Sequence, residues 1–424
     1  MRIAVIGAGI VGITTAYELA HDGHAVTVFE RNGAAAEEAS FANAGVVAPG
    51  YVTPWAAPGM PAKVFKQIFS QHAAMRVRLP INAFEMAWMW KFWRACKLDT
   101  YLQHRAQLQK LAFYSRARLH QITADLQLDY DRAEGYTVLL RTESDRRMVQ
   151  PSLQVLRDAG VPFSELDEAA TRLIEPALNP DTSFTGSVHL PADEVGNCRQ
   201  FAHLLKDAGR ALGVDFVFNS QVVSVSSSYP ATLLIASGNG TGALSAPVEK
   251  RFDAVVVCAG LQSAALLRPL GIRVPLVPVY GYSVSAHIRE PLNAPRSGLM
   301  DERYKVAISR LGQRVRVAGS AEIGGKLGVK NPAAMQTLYK VLHDWFPGAG
   351  LMSSGVQEWK GARPMLPNGP PAVGKSSAPG VWLNLGHGSS GWALACGSAR
   401  LLADSMAGRK AGIDASGFDA TRWG

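Results

Sequence analysis

Three glycines and one carboxylate carry the first recognisable chemistry of this chain. Gly7, Gly9 and Gly12 fill the pattern G-x-G-x-x-G, with Ala8, Ile10 and Val11 between them, and Glu30 follows eighteen residues after Gly12, with Arg31 next to it. In such a turn the first glycine permits the tight bend, the second lets a pyrophosphate approach the backbone, and the third lets a helix pack close to a strand. An acid at that distance can accept hydrogen bonds from both hydroxyls of a ribose. The chemistry is the binding of a dinucleotide.

The flanking residues supply the elements that such a site needs. Ile3 to Ile6 is an apolar run suited to a strand buried on both faces. A helix from about Ile10 to Ala20 would point its free N–H groups at the phosphates. The segment His21-Asp22-Gly23-His24 breaks that helix, and Ala25 to Phe29 reads as the second strand. Both NAD and FAD remain open at this point, because the acid argues only against a 2′-phosphate.

Composition sets further bounds. At 424 residues the chain is too long for one core, and 47% hydrophobic with 18% charged residues is the balance of a folded globular protein. No run of eighteen uncharged apolar residues is present, and the first strand starts at the N-terminus without a leader pattern, so an unprocessed cytoplasmic protein is expected. Cys96, Cys198, Cys258 and Cys396 are far apart with no C-x-x-C pair, which points to reduced thiols and indicates no metal site. The formal charge of +9 is unevenly spread: between Pro61 and His120 there are eleven Lys or Arg against Glu85 and Asp99.

That basic segment, from Ala62 to about Leu126, has a helical pattern with few polar positions. Phe84, Trp88 and Phe92 are spaced four apart, while Met86, Trp90 and Trp93 fill another face and Lys91, Arg94 and Lys97 gather at one end. One reading is a core helix of a substrate domain. The other is a patch over residues 61–97 resting in a membrane interface, where Trp sits at headgroup level and Lys and Arg meet anionic lipid. Nucleic acid is not expected, because the aromatics cluster instead of alternating with basic residues along a groove.

Elsewhere, Ala34 to Pro49 is dense in small residues and holds Ser40, Asn43, Ala44 and Gly45, as suits backbone lying close to a ligand. Three prolines from Tyr51 to Pro61 mark a loop leaving the nucleotide unit. A helix from about Arg199 to Leu212 leads to strands through Asp215 to Asn219 and through Val222 and Val223. The strand of FDAVVVCAG ends in Ala259-Gly260, which would bring backbone beside the same cofactor. PLVPVYGYSVS and the pair YKVAISR and RVRVAGS read as antiparallel strands. Near the end, a strand closes at Gly386-His387-Gly388 and a helix opens at Ser389 or Ser390, aiming a second helix N-terminus at a bound group.

The motifs GAGIVG with Glu30, SFANAGVVAPGYVTPWAAPGMP, DAVVVCAG, YKVAISR, GARPMLPNGPPAVG and LNLGHGSSGWALACG, in this order, resemble those of the FAD-dependent D-amino-acid dehydrogenase small subunits, within the wider glycine oxidase and D-amino-acid oxidase superfamily. The resemblance covers essentially the whole chain. One departure is Asn368, where the superfamily pattern has Asp.

The resemblance implies an α/β fold in which a Rossmann-like FAD-binding domain (1–50, 191–274 and 355–424) is interleaved with an α+β substrate domain built on an antiparallel sheet (51–190 and 275–354). It implies non-covalent FAD, with the adenosine half on Gly7 to Gly12 and Glu30, adenine near Val223, and the flavin ring against Ala44, Gly45 and the turn from Gly386 to Ser390, with Gly361 in the GARP motif close by. Arg363 matches the carboxylate-binding arginine, where a guanidinium suits a planar two-point partner. Tyr304 matches a tyrosine holding the same group. Tyr51, Tyr280, Tyr282 and His387 are further candidates for the pocket, each with a core-packing role as the alternative.

The implied reaction is oxidation of a D-amino acid to an imine that water converts to a 2-oxo acid and ammonia, with electrons passed to a quinone or other carrier. A secondary amine such as a hydroxyproline or sarcosine is the alternative substrate. A flavin-binding partner subunit with an assembly or RNA-binding role is the alternative of a different class. The basic, aromatic segment adds the expectation of contact with the inner face of the cytoplasmic membrane.

Overall fold

The computed structural model describes residues 1–62, 72–238 and 244–423. Two large sheets organise it. The first has six strands in the spatial order Ala372–Lys375, Val381–Leu385, Ala254–Val257, Arg2–Ile6, Ala25–Phe29 and Asp215–Val217. All neighbours are parallel except the first pair. The opening strand therefore lies between the strand that follows it and one contributed some 250 residues later, which is why Ile3 to Val5 are fully buried. Helix Ile10–His21 covers one face together with Cys198–Ala211 and Gly391–Met406.

The second sheet has ten strands. Its main path runs Gln357–Met365, Val277–His287, Arg314–Ile323, Val306–Leu311, Gly298–Asp301, Ala133–Leu140, Gly186–Val195 and Val46–Val47. Most neighbours are antiparallel, but Gly298–Asp301 runs parallel to Ala133–Leu140, and Met75–Val77 runs parallel to Arg314–Ile323. The alternation of residue types assigns its two faces. Val284, Ile308, Val315 and Val317 turn to helix Pro332–Trp345 and its Leu338, Val341 and Trp345. The opposite face holds Gly281, Ala307, Ala318 and Tyr136 and looks into a large cavity. A three-stranded antiparallel sheet, Ser220–Ser226, Ala231–Ser237 and Val248–Phe252, stands beside the first sheet.

The basic aromatic segment is not helical throughout. Residues 63–71 of it lie outside the described residues, and Met75–Val77 is a strand. Helix Ala83–Ala95 then starts at a capping box in which Asn82 accepts from the N–H of Glu85 and Glu85 accepts from the N–H of Asn82. It serves as a core helix on one side only. Trp88 is buried and donates its indole N–H to the carbonyl of Met365, whereas Phe84, Met86, Trp90 and Trp93 are all more than half exposed. Helix Leu98–Leu126 follows directly.

Candidate active site

The glycine turn is built as its spacing demands. Gly7 has φ +102°, and a Cβ there would lie 2.7 Å from the carbonyl oxygen of Cys258. At Gly12 a Cβ would fall 1.8 Å from the oxygen of Gly7, so only hydrogen lets the helix seat on the turn. Gly9 by contrast lines the cavity, where a Cβ would meet only Ser40 Oγ, at 3.6 Å. No side chain caps Ile10–His21 at Gly9; the N–H of Ile10 donates to Ser40 Oγ at 3.1 Å. Glu30, nearly buried, accepts from Ala8 N at 2.7 Å and from the backbone and side-chain N–H groups of Asn32 at 2.8 Å each. Its carboxylate is thus fixed at the cavity wall beside Arg31 and Asn32.

One cavity of about 1030 Å³ joins the two sheets. It runs from the glycine turn past Ala42, Asn43, Ala44, Ala259, Gly260 and Gly386 to Ser390, and then spreads over the face of the second sheet. Lining residues occur on seven successive strands, from Arg363 to Val188 and Leu190. Six steps between strands make that floor roughly 29 Å across. A dinucleotide and a small second ligand fit such a space together, whereas either alone would leave much of it unfilled.

At the Gly386 to Ser390 turn, φ is +80° at Gly386 and +58° at Gly388. Helix Gly391–Met406 begins there without a side-chain cap, with Gly391, Trp392 and Ala393 on the cavity wall. Its orphan N–H groups suit an electron-rich ligand edge. His387 is buried, and Nε2 lies 2.8 Å from Ser398 Oγ. Because the Ser398 hydroxyl donates to Ala395 O, Nε2 carries the proton. Burial pushes the imidazole down to about 3, so it is neutral at physiological pH.

Arg363 stands at the other end. Protein surrounds it on all sides while part of its surface stays open to the cavity, and a Cβ on Gly281 would lie 2.2 Å from Nη2, so that glycine makes room for the guanidinium. Nη1 donates to Ser320 O at 3.1 Å, and the group sits 5.6 Å from the ring of Trp55. Among the described residues it has no acidic partner, and burial lowers it to about 10. Lys360, three residues earlier, is engaged by Glu322 and by two carbonyls at 2.8 Å each. A partly buried cation that faces a cavity without a counter-charge is a site for an anion.

The remaining candidates separate. Tyr282 lines the cavity; burial and nearby Glu322 raise its phenol, and the hydroxyl has no well-formed hydrogen bond among the described residues. Tyr51 also lines it, donating to Glu302 at 2.9 Å and accepting from Lys305 at 3.1 Å. Tyr280 lies under Lys360 Nζ at 4.3 Å, outside the lining. Tyr304 is also outside it, since its ring packs 5.9 Å from His72 and 5.0 Å from Arg141, near Trp345. Val223 points outward, and its neighbour Val222 takes the lining position. Gly45, with φ +73°, is wedged against Gly196 and Leu311 behind the wall, while Ala44 faces the cavity. Gly361 lines it. Asn368 is off the lining, and its buried Oδ1 has no hydrogen-bond partner among the described residues.

Sequence reasoning missed Trp55, Trp359 and the Glu302–Lys305 pair, all of them cavity residues. Their signal is weak, because loop and strand-end residues carry no periodicity. Among the described residues no group of three or more His, Cys, Asp or Glu could hold a metal. The four cysteines are free, three of them buried and Cys96 partly so.

The family described as FAD dependent oxidoreductase (DAO) matches residues 2–405. D-amino acid dehydrogenases of two Cereibacter sphaeroides strains are 41% identical over 425 residues, spanning 100% of this chain and 95% of each relative. Among solved structures, glycine oxidase from Geobacillus kaustophilus superposes with TM-score 0.72 at 21% identity, covering 99% of both chains. L-proline dehydrogenase from P. horikoshii gives 0.71 at 14%, covering 99% of this chain and 97% of its own. At these identities the structural likeness establishes the shared fold. The glycine turn, the uncapped second helix and the size of the cavity all fit a bound FAD, and the chain belongs to the DAO family of FAD-dependent oxidoreductases.

Proposed function

We propose that this chain is an FAD-dependent D-amino-acid dehydrogenase that oxidises a D-alanine-like substrate to the imine, released after hydrolysis as a 2-oxo acid and ammonia. The observation that carries this reading is Arg363, a partly buried guanidinium with no acidic partner among the described residues, at the far end of a cavity whose near end is a dinucleotide turn. FAD, when bound without a covalent link, supplies the two-electron acceptor for the hydrogen leaving Cα. The first sheet then serves the cofactor and the cavity face of the second serves the substrate. Arg363 holds the carboxylate through the donors that Ser320 leaves free. Trp55 and Trp359 close the pocket against water. His387 stays neutral and shapes the wall, since removal of hydrogen to an acceptor needs aim more than a general base. Tyr304 has no part in this reading, because it faces the helix side of the sheet.

The finer part of the proposal is a quinone acceptor reached from a membrane surface. Beyond Tyr51 the cavity continues as an apolar arm between the sheet and helix Glu143–Asp158, walled by Tyr136, Val138, Leu153 and Leu156. Exposed Leu98, Leu102 and Met148 line it too, and Leu98 follows the exposed Trp90 and Trp93 of helix Ala83–Ala95 directly along the chain. Aromatic side chains with Lys91, Arg94 and Lys97 beside them suit an anionic lipid surface. No described helix is long and apolar enough to cross a membrane, so this contact is peripheral in the proposal.

The test is an anaerobic panel of D-amino acids, L-amino acids and secondary amines, followed by bleaching of the flavin absorbance. Bleaching by D-alanine and its homologues is expected. A response only to sarcosine or a hydroxyproline would replace the substrate, and no response to any amine would remove the enzymatic reading. Reoxidation as fast with oxygen alone as with a soluble quinone would remove the dehydrogenase part.

A further inference from the structure

The loop at residues 42–44 is fastened to the second sheet by its carbonyl groups, one after another. Ala42 O accepts from Ser283 Oγ at 2.8 Å, Asn43 O from Arg316 Nη1 at 3.0 Å, and Ala44 O from Ser309 Oγ at 2.7 Å. These donors form a block on three neighbouring strands. Ser285 and Ser309 are the direct cross-strand partners of Arg316, one on each side, and Ser283 lies two residues from Ser285 on the same face. Arg316 is 7% exposed and has no acidic partner among the described residues; its Nε donates to Ser285 Oγ at 2.8 Å. A buried cation retained without a counter-charge costs free energy, and what it holds here is one peptide oxygen of a cavity-lining loop.

Peptide planarity gives the fastening its consequence. In a trans peptide the C=O of one residue and the N–H of the next point in opposite directions. With the oxygens of Ala42 and Asn43 turned to the sheet, the N–H groups of Asn43 and Ala44 are turned away from it, toward the cavity that both residues line. Neither N–H has an acceptor among the described residues, whereas that of Gly45 is taken by Asn43 Oδ1 at 3.0 Å. The result is a pair of adjacent backbone donors aimed into the space between the Gly386 turn and the sheet face.

We infer that Arg316, Ser283 and Ser309 are positioning residues that aim the N–H groups of Asn43 and Ala44 at the flavin ring and so set its readiness to accept electrons. The inference rests on the placement of that ring against Ala44 within the proposed function. Donors fixed in advance where negative charge grows lower the barrier, because they need no reorganisation when the charge arrives. The cation of Arg316 behind the loop acts in the same direction.

The experiment reconstitutes wild type, Arg316→Met, Arg316→Lys and the double variant Ser283→Ala with Ser309→Ala with FAD labelled with ¹⁵N at N5 and ¹³C at the C4 carbonyl. Chemical shifts of the labels, the flavin midpoint potential and FAD affinity are read in each. Hydrogen-bonded shifts are expected in wild type. In Arg316→Met they should weaken, with a more negative potential and flavin reduction by substrate about tenfold slower, at an FAD affinity within about threefold of wild type. Arg316→Lys should recover part of the shift by restoring one donor and the charge. The double serine variant should move the shifts in the same direction, and it keeps the test open if Arg316→Met does not fold. Hydrogen-bonded wild-type shifts that persist in the variants, with an unchanged potential, would overturn the clamp. Wild-type shifts without hydrogen bonding would instead overturn the ring placement, and the clamp with it.

Discussion

Replacing Arg363 with methionine separates anion binding from folding. In the free protein the guanidinium is lowered from 12.5 to about 10 by burial. That difference corresponds to about 3 kcal/mol of unfavourable free energy held by the charged form at neutral pH, fully present below about pH 10 and lost as the pH rises to 12.5. Methionine fills similar space without the charge, so the apoprotein of Arg363→Met should unfold no more easily than wild type and should gain up to about 3 kcal/mol. Binding of a carboxylate should suffer in the opposite sense. Removing one partner of a buried, hydrogen-bonded charge pair costs about 2–5 kcal/mol, so affinity for a 2-oxo acid should fall roughly a hundredfold or more. Titration of the visible flavin spectrum with the 2-oxo acid measures that loss, and chemical denaturation of the apoprotein measures the gain. Arg363→Lys should lie between, because an ammonium keeps the charge and loses the fork. Unchanged carboxylate affinity, or loss of bound FAD together with lowered stability, would refute the assignment and make Arg363 a structural residue.

Other expectations follow from the same geometry. Gly12→Ala sets a methyl group 1.8 Å from the oxygen of Gly7, and should abolish FAD binding or cost at least about 3 kcal/mol of stability, measured by flavin retention and denaturant unfolding. His387 is lowered to about 3. Above pH 6.5 it is neutral in both states and has no effect, while below that the unfolded chain takes up a proton that the native chain refuses. Stability should therefore drop as pH falls from 6.5, by about 2 kcal/mol at pH 5 from this residue alone. His387→Gln should flatten that part of the curve, and the kcat/KM profile between pH 5 and 9 should show no break that disappears in this variant. Replacing the exposed Trp90 and Trp93 by serine should reduce sedimentation with anionic vesicles severalfold and leave denaturant stability unchanged; equal sedimentation would remove the membrane contact.

What could be read from the sequence was local or repeated in a recognisable order. The unit from Arg2 to Phe29 was legible because each of its constraints acts within a few residues: a twice-buried strand, glycines where a Cβ cannot fit, and an acid at the end of the next strand. The antiparallel strands were legible by alternation, and their residues Val284, Val315 and Val317 do face one core. Tyr304 shows where such reading fails. It sits in a turn where Lys305 adopts φ +53°, and no periodicity tells which side of the sheet a turn residue will take. The helix Ala83–Ala95 shows a second failure: its aromatics occur on both faces, so composition could not separate the anchoring Trp88 from the exposed Trp90 and Trp93.

Arg316 marks the deeper limit. In RVRVAGS the alternation places Val315 and Val317 on the covered face and leaves Arg314 and Arg316 on the other, the pattern of an ordinary half-exposed strand. What turns Arg316 into a buried cation is the loop at residues 42–44, about 270 positions earlier, lying across that face. The same loop is what gives Ser283 and Ser309 their acceptors. Neither segment is unusual alone: a run of small residues looks like a surface loop, and a Ser-Arg-Ser row looks like a solvated sheet. Function here arises from their juxtaposition. The sheet consumes the loop's oxygens, and the planar peptide then has no choice but to present its N–H groups to the cavity. A single substitution on the sheet, at a residue that touches no ligand, should for that reason reach the electronics of the site without altering its list of contacts.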